Sequence, residues 1–529
     1  MMNVPLSIHE VLNRAGLLFP NSEVVTRLPD KRLFRHRYSE IVRRTHALAH
    51  ALKTLGVQPG ERVATLCWNH HVHLECYFGV PLVGAVLHTL NLRLSPGEIA
   101  WIAADAKDRV LIVDDVLLPL LEQIAAHYRF EKVIVWPFAG GSVPDGCLDY
   151  DTVIDPFLSK TFNPAPHEET DAISICYTSG TTGRPKGVVY SHRSTLLHAL
   201  VASLPDMCAL RGEDTILAIA PMFHVNCWGI PYAALMLGAR LVLPGCGLHP
   251  EDLLELISRE QPTFALAVPT LWLSMERAME QEPGRWSLPR GMRCLAGGSA
   301  MPEHAVNFFE SHSVTLRPAW GMTETSPVAT MNYVKPSGPV SDEAASRRVL
   351  AGVPVPLVQI RLIGEDGTQQ PWDGESMGEI QVRGPYITGS YLGAEADPER
   401  HTADGWLRTG DIGIIDSDGY LTVADRAKDL IKSGGEWISS AALENALISH
   451  PAVSEAAVIA IPDPRWLERP LACIVFKPSQ TATAGELNAH LAQSFAKWQL
   501  PDRYEILTTL PRTSTGKVWK QKLREQLRR

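Results

Sequence analysis

The sequence predicts an α/β fold in which helices cover both faces of parallel sheets. Strand and helix patterns alternate over the first hundred residues, and the same alternation continues to about residue 350. Short alternating segments with Gly-rich turns then take over. Repeated strand–helix–strand units indicate a parallel sheet, because parallel neighbours need a crossover connection. Such sheets present their ligand sites at the carboxyl ends of the strands.

The first long helix is predicted over residues 38–55. Ile41, Leu48 and Leu52 recur there at the spacing of one helix face. Gly56 follows at the position of a C-terminal cap, where a residue without a Cβ adopts positive φ at little cost.

The elements that follow alternate between strand and helix. We expect strands at 62–67, 86–88 and 110–113, with a helix at 73–82 between the first two. A second helix opens with Ser95, Pro96 and Glu98, the spacing of a capping box with Pro at the first helical position. Two further buried strands are expected at 215–219 and 264–268. After about Gly352 the segment 379–384 is typical of antiparallel pairing, and the last hundred or so residues form a further compact unit.

Composition restricts the class of protein. The chain has 529 residues, of which 45% are hydrophobic and 20% charged, so it has ample material for a core. Lys and Arg number 49 against 58 Asp and Glu, giving 49 − 58 = −9. An acidic balance argues against a dedicated nucleic-acid binder, which needs basic residues to neutralise phosphates.

Targeting and redox signals point to a reducing compartment. No apolar run approaches the ~18 residues of a transmembrane helix, and the N-terminus lacks the pattern of a secretion signal. The 9 cysteines include no Cys-x-x-Cys pair, and several sit among apolar neighbours. We therefore expect reduced core thiols in a cytoplasmic protein, with neither a disulfide framework nor a zinc site built from cysteines.

One loop carries most of the functional information. The predicted buried strand 173–177 runs into residues 178–187, whose sequence is TSGTTGRPKG. Its glycines let backbone N–H groups curl around an anion, while the hydroxyls and Lys186 supply further donors. Lys186 is followed by Gly187, where a Walker loop has Ser or Thr, so the loop is a different kind of polyphosphate cradle.

This loop resembles the signature of the adenylate-forming ligase superfamily, whose members make acyl-AMP from a carboxylic acid and ATP. Four further signatures follow in the family's order. They are WGMTET at 320–325, GWLRTGD at 405–411, DRAKDLIKSGG at 425–435 and PRTSTGK at 511–517. The resemblance covers essentially the whole chain. It implies a large N-terminal domain of stacked αβα sheets plus a β-barrel-like part, residues 1–424, and a small mobile α+β C-terminal domain, residues 425–529.

Within the superfamily the chain most resembles bacterial long-chain fatty acyl-CoA synthetases. PMFHVNCW at 221–228 is similar to their gate segment, and KSGGEWISS at 432–440 is found in fatty acyl and some medium-chain relatives. The resemblance implies ATP, Mg²⁺ and CoA as cofactors or co-substrates and a homodimer. It implies no nucleic-acid partner and no stable membrane span, although peripheral membrane association stays open.

The family's catalytic residues map onto three positions. Thr178 and Glu324 are similar to the magnesium-site residues, and hard oxygen ligands suit a metal that also binds phosphate. Lys517 resembles the catalytic lysine, whose point charge on a flexible stem suits a developing oxyanion.

The nucleotide contacts implied by the resemblance are more numerous. Trp320 would stack on adenine where the family more often has Tyr, and the carboxylate of Asp411 would accept bonds from the ribose hydroxyls. The full nucleotide set is Thr178, Ser179, Gly180, Thr181, Thr182, Gly183, Lys186, Val225, Gly298, Pro318, Ala319, Trp320, Thr323, Asp411, Arg426, Lys428, Lys432 and Trp437.

Further residues are expected to act on the acid and on domain movement. His224, Trp228 and Gly298 are the acid-binding candidates, and Trp228 resembles a gate that admits the acyl chain. Asp425 is similar to the hinge about which the small domain rotates between the two half-reactions. The pair Gly434 and Gly435 would let the backbone approach the pantetheine arm closely.

Other functions remain open at this level. One alternative is a CoA ligase for medium-chain, branched or aryl acids, and another is a luciferase-like oxygenase that uses its adenylate differently. A catalytically dead adenylate- or fatty acid-binding protein is the alternative from another class. Retention of Lys517, Glu324 and the loop glycines argues against it.

Overall fold

The architecture is that of a computed structural model, which describes residues 2–178, 184–333, 335, 347–394, 397–434, 436–512 and 518–527. Over those ranges, no helix combines the length and the apolar character needed to cross a membrane.

The large N-terminal part contains two mainly parallel sheets, here named sheet A and sheet B. Sheet A has seven strands, in the order Leu148–Asp149, Lys132–Trp136, Asp108–Asp114, Arg62–Leu66, Val86–Thr89, Ala172–Tyr177 and Gly187–Ser191. Sheet B has nine, in the order Val353–Pro354, Val328–Met331, Thr315–Gly321, Arg293–Gly297, Phe264–Ala267, Thr215–Ala218, Arg240–Leu243, Glu23–Arg27 and Leu33–Arg37. The last strand of sheet A pairs antiparallel with Ala172–Tyr177, so the loop between them is a hairpin connection.

Helices cover these sheets, as the alternating pattern predicts. In the large part the α-helices are Ile8–Leu18, Tyr38–Thr54, His71–Leu82, Pro96–Ala106, Leu118–Ala125, Tyr150–Ile154, His192–Ser203, Ile230–Leu237, Pro250–Glu260, Pro269–Gln281 and Glu303–Ser311. Short 3₁₀ segments occur at Asp115–Leu117, Asp155–Phe157, Val225–Gly229, Thr323–Thr325 and Arg347–Val349.

Local sequence signals explain where several helices begin and end. The helix Tyr38–Thr54 buries Ile41, Leu48 and Leu52, and Gly56 takes a φ of 87° just beyond it. At Pro96–Ala106 the Ser95 hydroxyl accepts from the N–H of Glu98 at 3.3 Å, while the Glu98 carboxylate accepts from the N–H of Ser95 at 3.0 Å. These bonds satisfy N–H groups that have no partner inside the helix.

After about residue 352 the strands pair in antiparallel fashion, also as predicted. Sheet C is antiparallel and consists of Gln359–Ile363, Gly378–Arg383, Leu407–Ile415 and Leu421–Arg426, the part expected to be barrel-like. Sheet D, in the small C-terminal part, runs through Glu436–Ile438, Ile431–Ser433, Leu467–Phe476 and Val453–Asp463, with Arg503–Ile506 parallel to Leu467–Phe476. Its helices are Ser440–Ile448, Ala484–Leu491 and Lys520–Leu527, and a 3₁₀ turn lies at Lys497–Gln499.

Separate cores support the two parts. One large cluster spans sheets A and B and their helices, whereas Ile431, Leu443, Val458 and Leu487 belong to a cluster confined to the small part. All 9 cysteines are free thiols, and Cys67, Cys76, Cys176, Cys227 and Cys294 are buried as expected.

Candidate active site

Most residues expected at the site belong to the described chain, and some do not. Those outside it are Ser179, Gly180, Thr181, Thr182 and Gly183 of the phosphate loop, Gly435, and the candidate catalytic Lys517.

Both ends of the phosphate loop are fixed by backbone and side-chain bonds. Thr178 follows the strand Ala172–Tyr177, and its N–H donates to the carbonyl of Lys186 at 2.9 Å. The N–H of Lys186 lies 3.4 Å from the Thr178 hydroxyl. The Lys186 ammonium sits 4.9 Å from the centre of the Tyr391 ring and 2.9 Å from Asp397.

Tyr391 connects this loop to Glu324. The Tyr391 hydroxyl donates to Glu324 Oε1 at 2.8 Å, and Glu324 is only 4% exposed. Burial, together with the neighbouring Glu324, raises the pKa of Tyr391, so the phenol keeps its proton and can donate. Thr178, Lys186, Tyr391 and Glu324 therefore form one continuous network, although Thr178 and Glu324 are far apart in sequence.

The neighbouring Thr323 is held by sheet A. The Tyr190 hydroxyl donates to the carbonyl of Thr323 at 2.7 Å, and Thr323 is buried. The N–H of Thr388 donates to the carbonyl of Glu324 at 2.9 Å. The turn that carries Glu324 is thus fixed from both sides.

A second group unites Trp320, Asp411 and Arg426. Trp320 Nε1 donates to Asp411 Oδ2 at 2.9 Å, and Arg426 Nε lies 3.0 Å from Asp411 Oδ1. Asp411 and Arg426 face each other on paired strands of sheet C, whereas Trp320 ends a strand of sheet B. The carboxylate is 6% exposed, so its orientation is set by these two partners.

Strand ends of sheet B bring the remaining nucleotide candidates together. Pro318 pairs with Ala296, and Ala319 with Gly297, on adjacent parallel strands. Gly298 follows immediately and takes a φ of 103°, which only glycine adopts without strain. This is the carboxyl edge at which α/β sheets bind their ligands.

The gate segment has an unusual backbone. Val225, Asn226, Cys227 and Trp228 all have φ between 47° and 53°, and Gly229 follows at 72°. A left-handed conformation costs roughly 1–2 kcal/mol for each residue with a Cβ, so this turn stores several kcal/mol that packing must offset. Asn226 supplies part of that support, because its amide donates to the Ser174 hydroxyl at 2.7 Å.

Trp228 lies against the nucleotide candidates. A Cβ placed on Gly297 would come within 3.1 Å of the Trp228 ring, so the glycine makes room for the indole. Val225 is buried with Val188, Tyr190 and Tyr391, next to the phosphate network. His224 precedes the left-handed turn in extended conformation and is half-buried.

The small-domain candidates lie elsewhere. Lys432 Nζ is 2.8 Å from Glu365 Oε1 and 5.3 Å from the centre of the Trp437 ring. Trp437 lines a cavity of about 900 Å³ on sheet C together with Arg361, Arg408 and Ile412. The lining of this cavity includes neither Thr178 nor Glu324. Lys428 is on the surface beyond Arg426.

Asp425 lies on the last strand of sheet C and contacts a helix of the small part. Its carboxylate accepts from the N–H of Ser440 at 2.8 Å and from that of Ala441 at 3.2 Å, at the start of the helix Ser440–Ile448. Gly434 has a φ of 64°, and a Cβ there would come within 2.8 Å of the Trp466 ring. Both positions therefore have specific backbone requirements.

Comparison with known proteins identifies the family. The family model described as AMP-binding enzyme matches residues 15–392, and the model for the AMP-binding enzyme C-terminal domain matches residues 442–517. The chain belongs to the AMP-binding enzyme family. A relative named long-chain-fatty-acid–CoA ligase, from Thermus thermophilus, is 47% identical over 99% of this chain and 96% of its own length.

Two further matches place this AMP-binding enzyme among acid–CoA ligases. A medium-chain-fatty-acid–CoA ligase of Ectopseudomonas oleovorans is 40% identical over 99% of this chain and 97% of its own length. The crystal structure of the anthranilate CoA ligase AuaEII with anthranoyl-AMP superposes with a TM-score of 0.88, at 29% identity, over 99% of this chain and 98% of that one. The predicted superfamily, fold class and enzyme class, an acid–thiol ligase, are confirmed.

Sequence reasoning missed several residues of the AMP-binding enzyme. Tyr391, Asp397 and Asn226 fix Glu324, Lys186 and the gate turn, respectively. Tyr391 and Asp397 lie outside every motif, and no local pattern distinguishes either from an ordinary surface residue. The pairing of Tyr391 with Val188 at the edge of sheet A helps to bring them to the loop.

Proposed function

We propose that this chain is an ATP-dependent, AMP-forming ligase that converts a long-chain fatty acid to its CoA thioester. In the first step a carboxylate oxygen attacks the α-phosphorus of ATP, and the bond to pyrophosphate breaks. In the second step the CoA sulfur attacks the acyl carbon of the mixed anhydride, and AMP leaves. The free carboxylate is a poor acyl donor, whereas AMP is a good leaving group.

The convergence of the motif residues carries this proposal. Glu324 and Thr178 belong to one network through Tyr391 and Lys186, and Trp320 is bonded to Asp411. Apart from Tyr391, these groups come from three separate signatures of the sequence. A protein that only bound a nucleotide would need the nucleotide contacts alone. In such a protein the buried carboxylate of Glu324 would repel the anionic phosphates, with no cation to compensate.

Thr178 and Glu324 fit a Mg²⁺ ion. Both offer hard oxygen donors, and Tyr391 bonds to Glu324 Oε1 only, which leaves Oε2 for a metal. Bound there, Mg²⁺ would neutralise charge on the phosphate oxygens.

Other residues of the chain orient the reactants. The loop 178–187 would cradle the phosphates, with Lys186 as a positive charge, and Lys517 would stabilise charge that develops on the α-phosphate. Asp411 would accept from the ribose hydroxyls, and Trp320 would cover the adenine face. His224, Val225 and Gly298 would border the carboxylate and the adenylate.

The second step requires a different arrangement of the small domain. We place the boundary before Asp425 and propose that this residue is the hinge. Its bonds to the N–H groups of Ser440 and Ala441 support a pivot that stays attached to the small domain. Rotation would withdraw Lys517 and bring the turn containing Gly434 and Gly435 towards the CoA thiol. Lys428, Lys432 and Trp437 would contact the adenylate from this domain.

Two relatives bear on the choice of acid. The Thermus relative, named for long-chain fatty acids, favours the long-chain proposal, and the gate segment with Trp228 supports it. The Ectopseudomonas relative, named for medium-chain fatty acids, keeps a medium-chain, branched or aryl acid as the second candidate.

A substrate panel tests the proposal. AMP and acyl-CoA would be measured with acids from acetate to long-chain fatty acids and with aryl acids, in the presence and absence of CoA, beside Lys517→Ala. We expect CoA-dependent product that peaks at long chains and falls sharply in the variant. A peak at short or aryl acids would support the same reaction with a different substrate. Absence of adenylate with every acid would refute the proposal that the chain is an enzyme.

We further propose that the enzyme acts in the cytoplasm as a homodimer. Nine free thiols favour a reducing, cytoplasmic environment, and family resemblance favours a homodimer. Sedimentation of the purified chain and vesicle flotation would test the dimer and any peripheral membrane association.

A further inference from the structure

Three histidines that play no part in the proposed reaction lie close together. His9 is the second residue of the helix Ile8–Leu18, and His192 is the first residue of the helix His192–Ser203. His167 lies in the segment that precedes the strand Ala172–Tyr177. One ring nitrogen from each lies within 4.8 Å of the others, and the ring centres are 4.5–4.8 Å apart.

Two of these rings have a buried nitrogen without a partner. His9 is 3% exposed, and its Nδ1 has no hydrogen-bond partner among the described residues. His167 Nε2 is likewise buried and unpartnered, although the ring as a whole is half-buried. An unsatisfied buried polar atom is costly, so two in one cluster point to a missing ligand.

The tautomer of His167 suits a metal. Its Nδ1 lies 3.2 Å from the carbonyl of Ala165, so that nitrogen carries the proton and the buried, unpartnered Nε2 keeps its lone pair. A ligating histidine commonly has this arrangement, because a hydrogen bond on one nitrogen fixes the other as the donor to the ion.

The other two rings, of His9 and His192, are both buried. His192 Nδ1 accepts from the N–H of Ile8 at 3.2 Å. Coordination of an ion through Nδ1 of His192 would replace this bond to Ile8.

A second buried cluster shows what a satisfied arrangement looks like. Cys67, His70 and Asp114 also approach one another closely. There His70 Nε2 pairs with Asp114 at 2.8 Å and His70 Nδ1 accepts from the N–H of His73 at 3.2 Å. Every ring nitrogen of His70 is used, so nothing in that cluster calls for a ligand.

We propose that His9, His167 and His192 form a zinc site that fastens the N-terminal helix to the large domain. Imidazole nitrogens on one tetrahedral zinc ion lie roughly 3.3 Å apart, given Zn–N distances of about 2.0–2.1 Å. The ring nitrogens, which lie within 4.8 Å of one another, need to close by up to about 1.5 Å, and water would fill the fourth position. Imidazole donors favour Zn²⁺ over Mg²⁺, which prefers oxygen, so this site is chemically distinct from the one at Glu324.

The location gives the ion a structural role. The helix Ile8–Leu18 packs on the helix Ile230–Leu237, which directly follows the left-handed gate turn. Fixing the helix Ile8–Leu18 would therefore stabilise the helix Ile230–Leu237, which supports that turn. Because binding is linked to folding, zinc should raise the melting temperature.

Metal titration of the full chain tests the site. Chelator-stripped protein would be titrated with Zn²⁺ against a chromophoric competitor and with Co²⁺ as a spectroscopic probe, in the presence of excess Mg²⁺. We expect one ion per chain, visible cobalt bands without the charge-transfer band of a thiolate ligand, and an increased melting temperature.

Matched variants assign the ligands. His167→Ala removes a half-buried loop residue, and His192→Asn keeps an acceptor for the N–H of Ile8 while removing the imidazole. Each should weaken zinc binding at least tenfold and abolish the thermal shift, whereas the exposed control His127→Ala should change neither. Absence of zinc binding in the wild type, or unchanged affinity in both variants, would overturn the proposal.

Discussion

The two sides of the candidate active site are built differently. On the large-domain side, Trp320 bonds directly to Asp411, and Glu324 is buried against Tyr391. On the small-domain side, Lys432 pairs with Glu365, and both side chains are about half exposed, at 49% and 63%. An exposed ion pair contributes about 0–1 kcal/mol, so it can be exchanged for a ligand contact. One side is preorganised and the other is held by replaceable contacts.

This difference fits a two-step reaction. Residues that hold ATP and AMP throughout gain from fixed positions, since no reorganisation is then required during the reaction. Residues that serve only one step must be able to leave. The contact of Arg277 with the carbonyl of Ser454, at 3.0 Å, is another polar contact across the two domains that rotation would break.

Removing the charge of Glu324 should have the largest effect on the preorganised side. Glu324→Gln keeps the shape but loses the anion expected to bind Mg²⁺, and we expect pyrophosphate release to fall about 10²–10³-fold. Tyr391→Phe, which removes only the bond to Glu324, should cost about tenfold or less. If Glu324→Gln were as active as the wild type, Glu324 would have no role in the reaction.

Breaking the largely buried ion pair beside the proposed hinge should mainly affect stability. Lys520 Nζ lies 2.7 Å from Glu444 Oε1 and 2.6 Å from the Ser440 hydroxyl, next to Asp425. Lys520→Met leaves the Glu444 carboxylate uncompensated, and we expect the free energy of unfolding to fall by about 3 kcal/mol. Adding Glu444→Gln should recover most of the loss. Denaturant titration of the small-domain transition would measure both, and additive losses would contradict the pairing.

We expect the folding stability to depend on pH through Glu276, where the large domain faces the small one. Burial, with repulsion from Glu280, raises the pKa of Glu276 to about 7, whereas Arg277 and Lys477 act in the opposite direction. His304 Nε2 lies 3.7 Å from its carboxylate. Because the folded pKa exceeds the unfolded value of 4.5, stability falls as pH rises from about 4.5 to 7. The melting temperature of Glu276→Gln should be higher than that of the wild type at pH 8 and equal to it below pH 5. The reverse order would refute the raised pKa of Glu276.

The replaceable contact should give the smallest effect. Glu365→Gln removes the partner of Lys432, and we expect a change in unfolding free energy below about 0.5 kcal/mol. Thioester formation should stay within about twofold of wild type or rise slightly, because the domain is released more easily. A stopped-flow assay of acyl-CoA formation would detect a large loss, which would mean that this pair is a required contact.

Local signals predicted much of the fold. The capping box at Ser95, the helix from Tyr38 and the antiparallel segment near residue 380 are confirmed, because each depends on residues close in sequence. The left-handed turn from Val225 to Gly229 could not be predicted, since four of its five residues carry a Cβ and disfavour that conformation on their own. Packing against Ser174 and the sheet edge overrides the local preference.

The candidate site was predictable only in part for the same reason. Motifs identified Glu324, Asp411 and Trp320, but the bond between Trp320 and Asp411 joins strands of different sheets. Tyr391 and the cluster of His9, His167 and His192 depend on long-range contacts that no spacing rule contains. The pairing of Lys432 with the exposed Glu365 could not be predicted from the sequence either.

The binding of AMP to two variants tests the central comparison most directly. Asp411→Asn weakens a preorganised acceptor, whereas Lys432→Met removes a cation that bonds to Glu365 in this arrangement. Calorimetric titration should show AMP affinity reduced about tenfold or more by the first and less than about threefold by the second. Equal losses, or a larger loss in Lys432→Met, would contradict a nucleotide site preformed by the large domain.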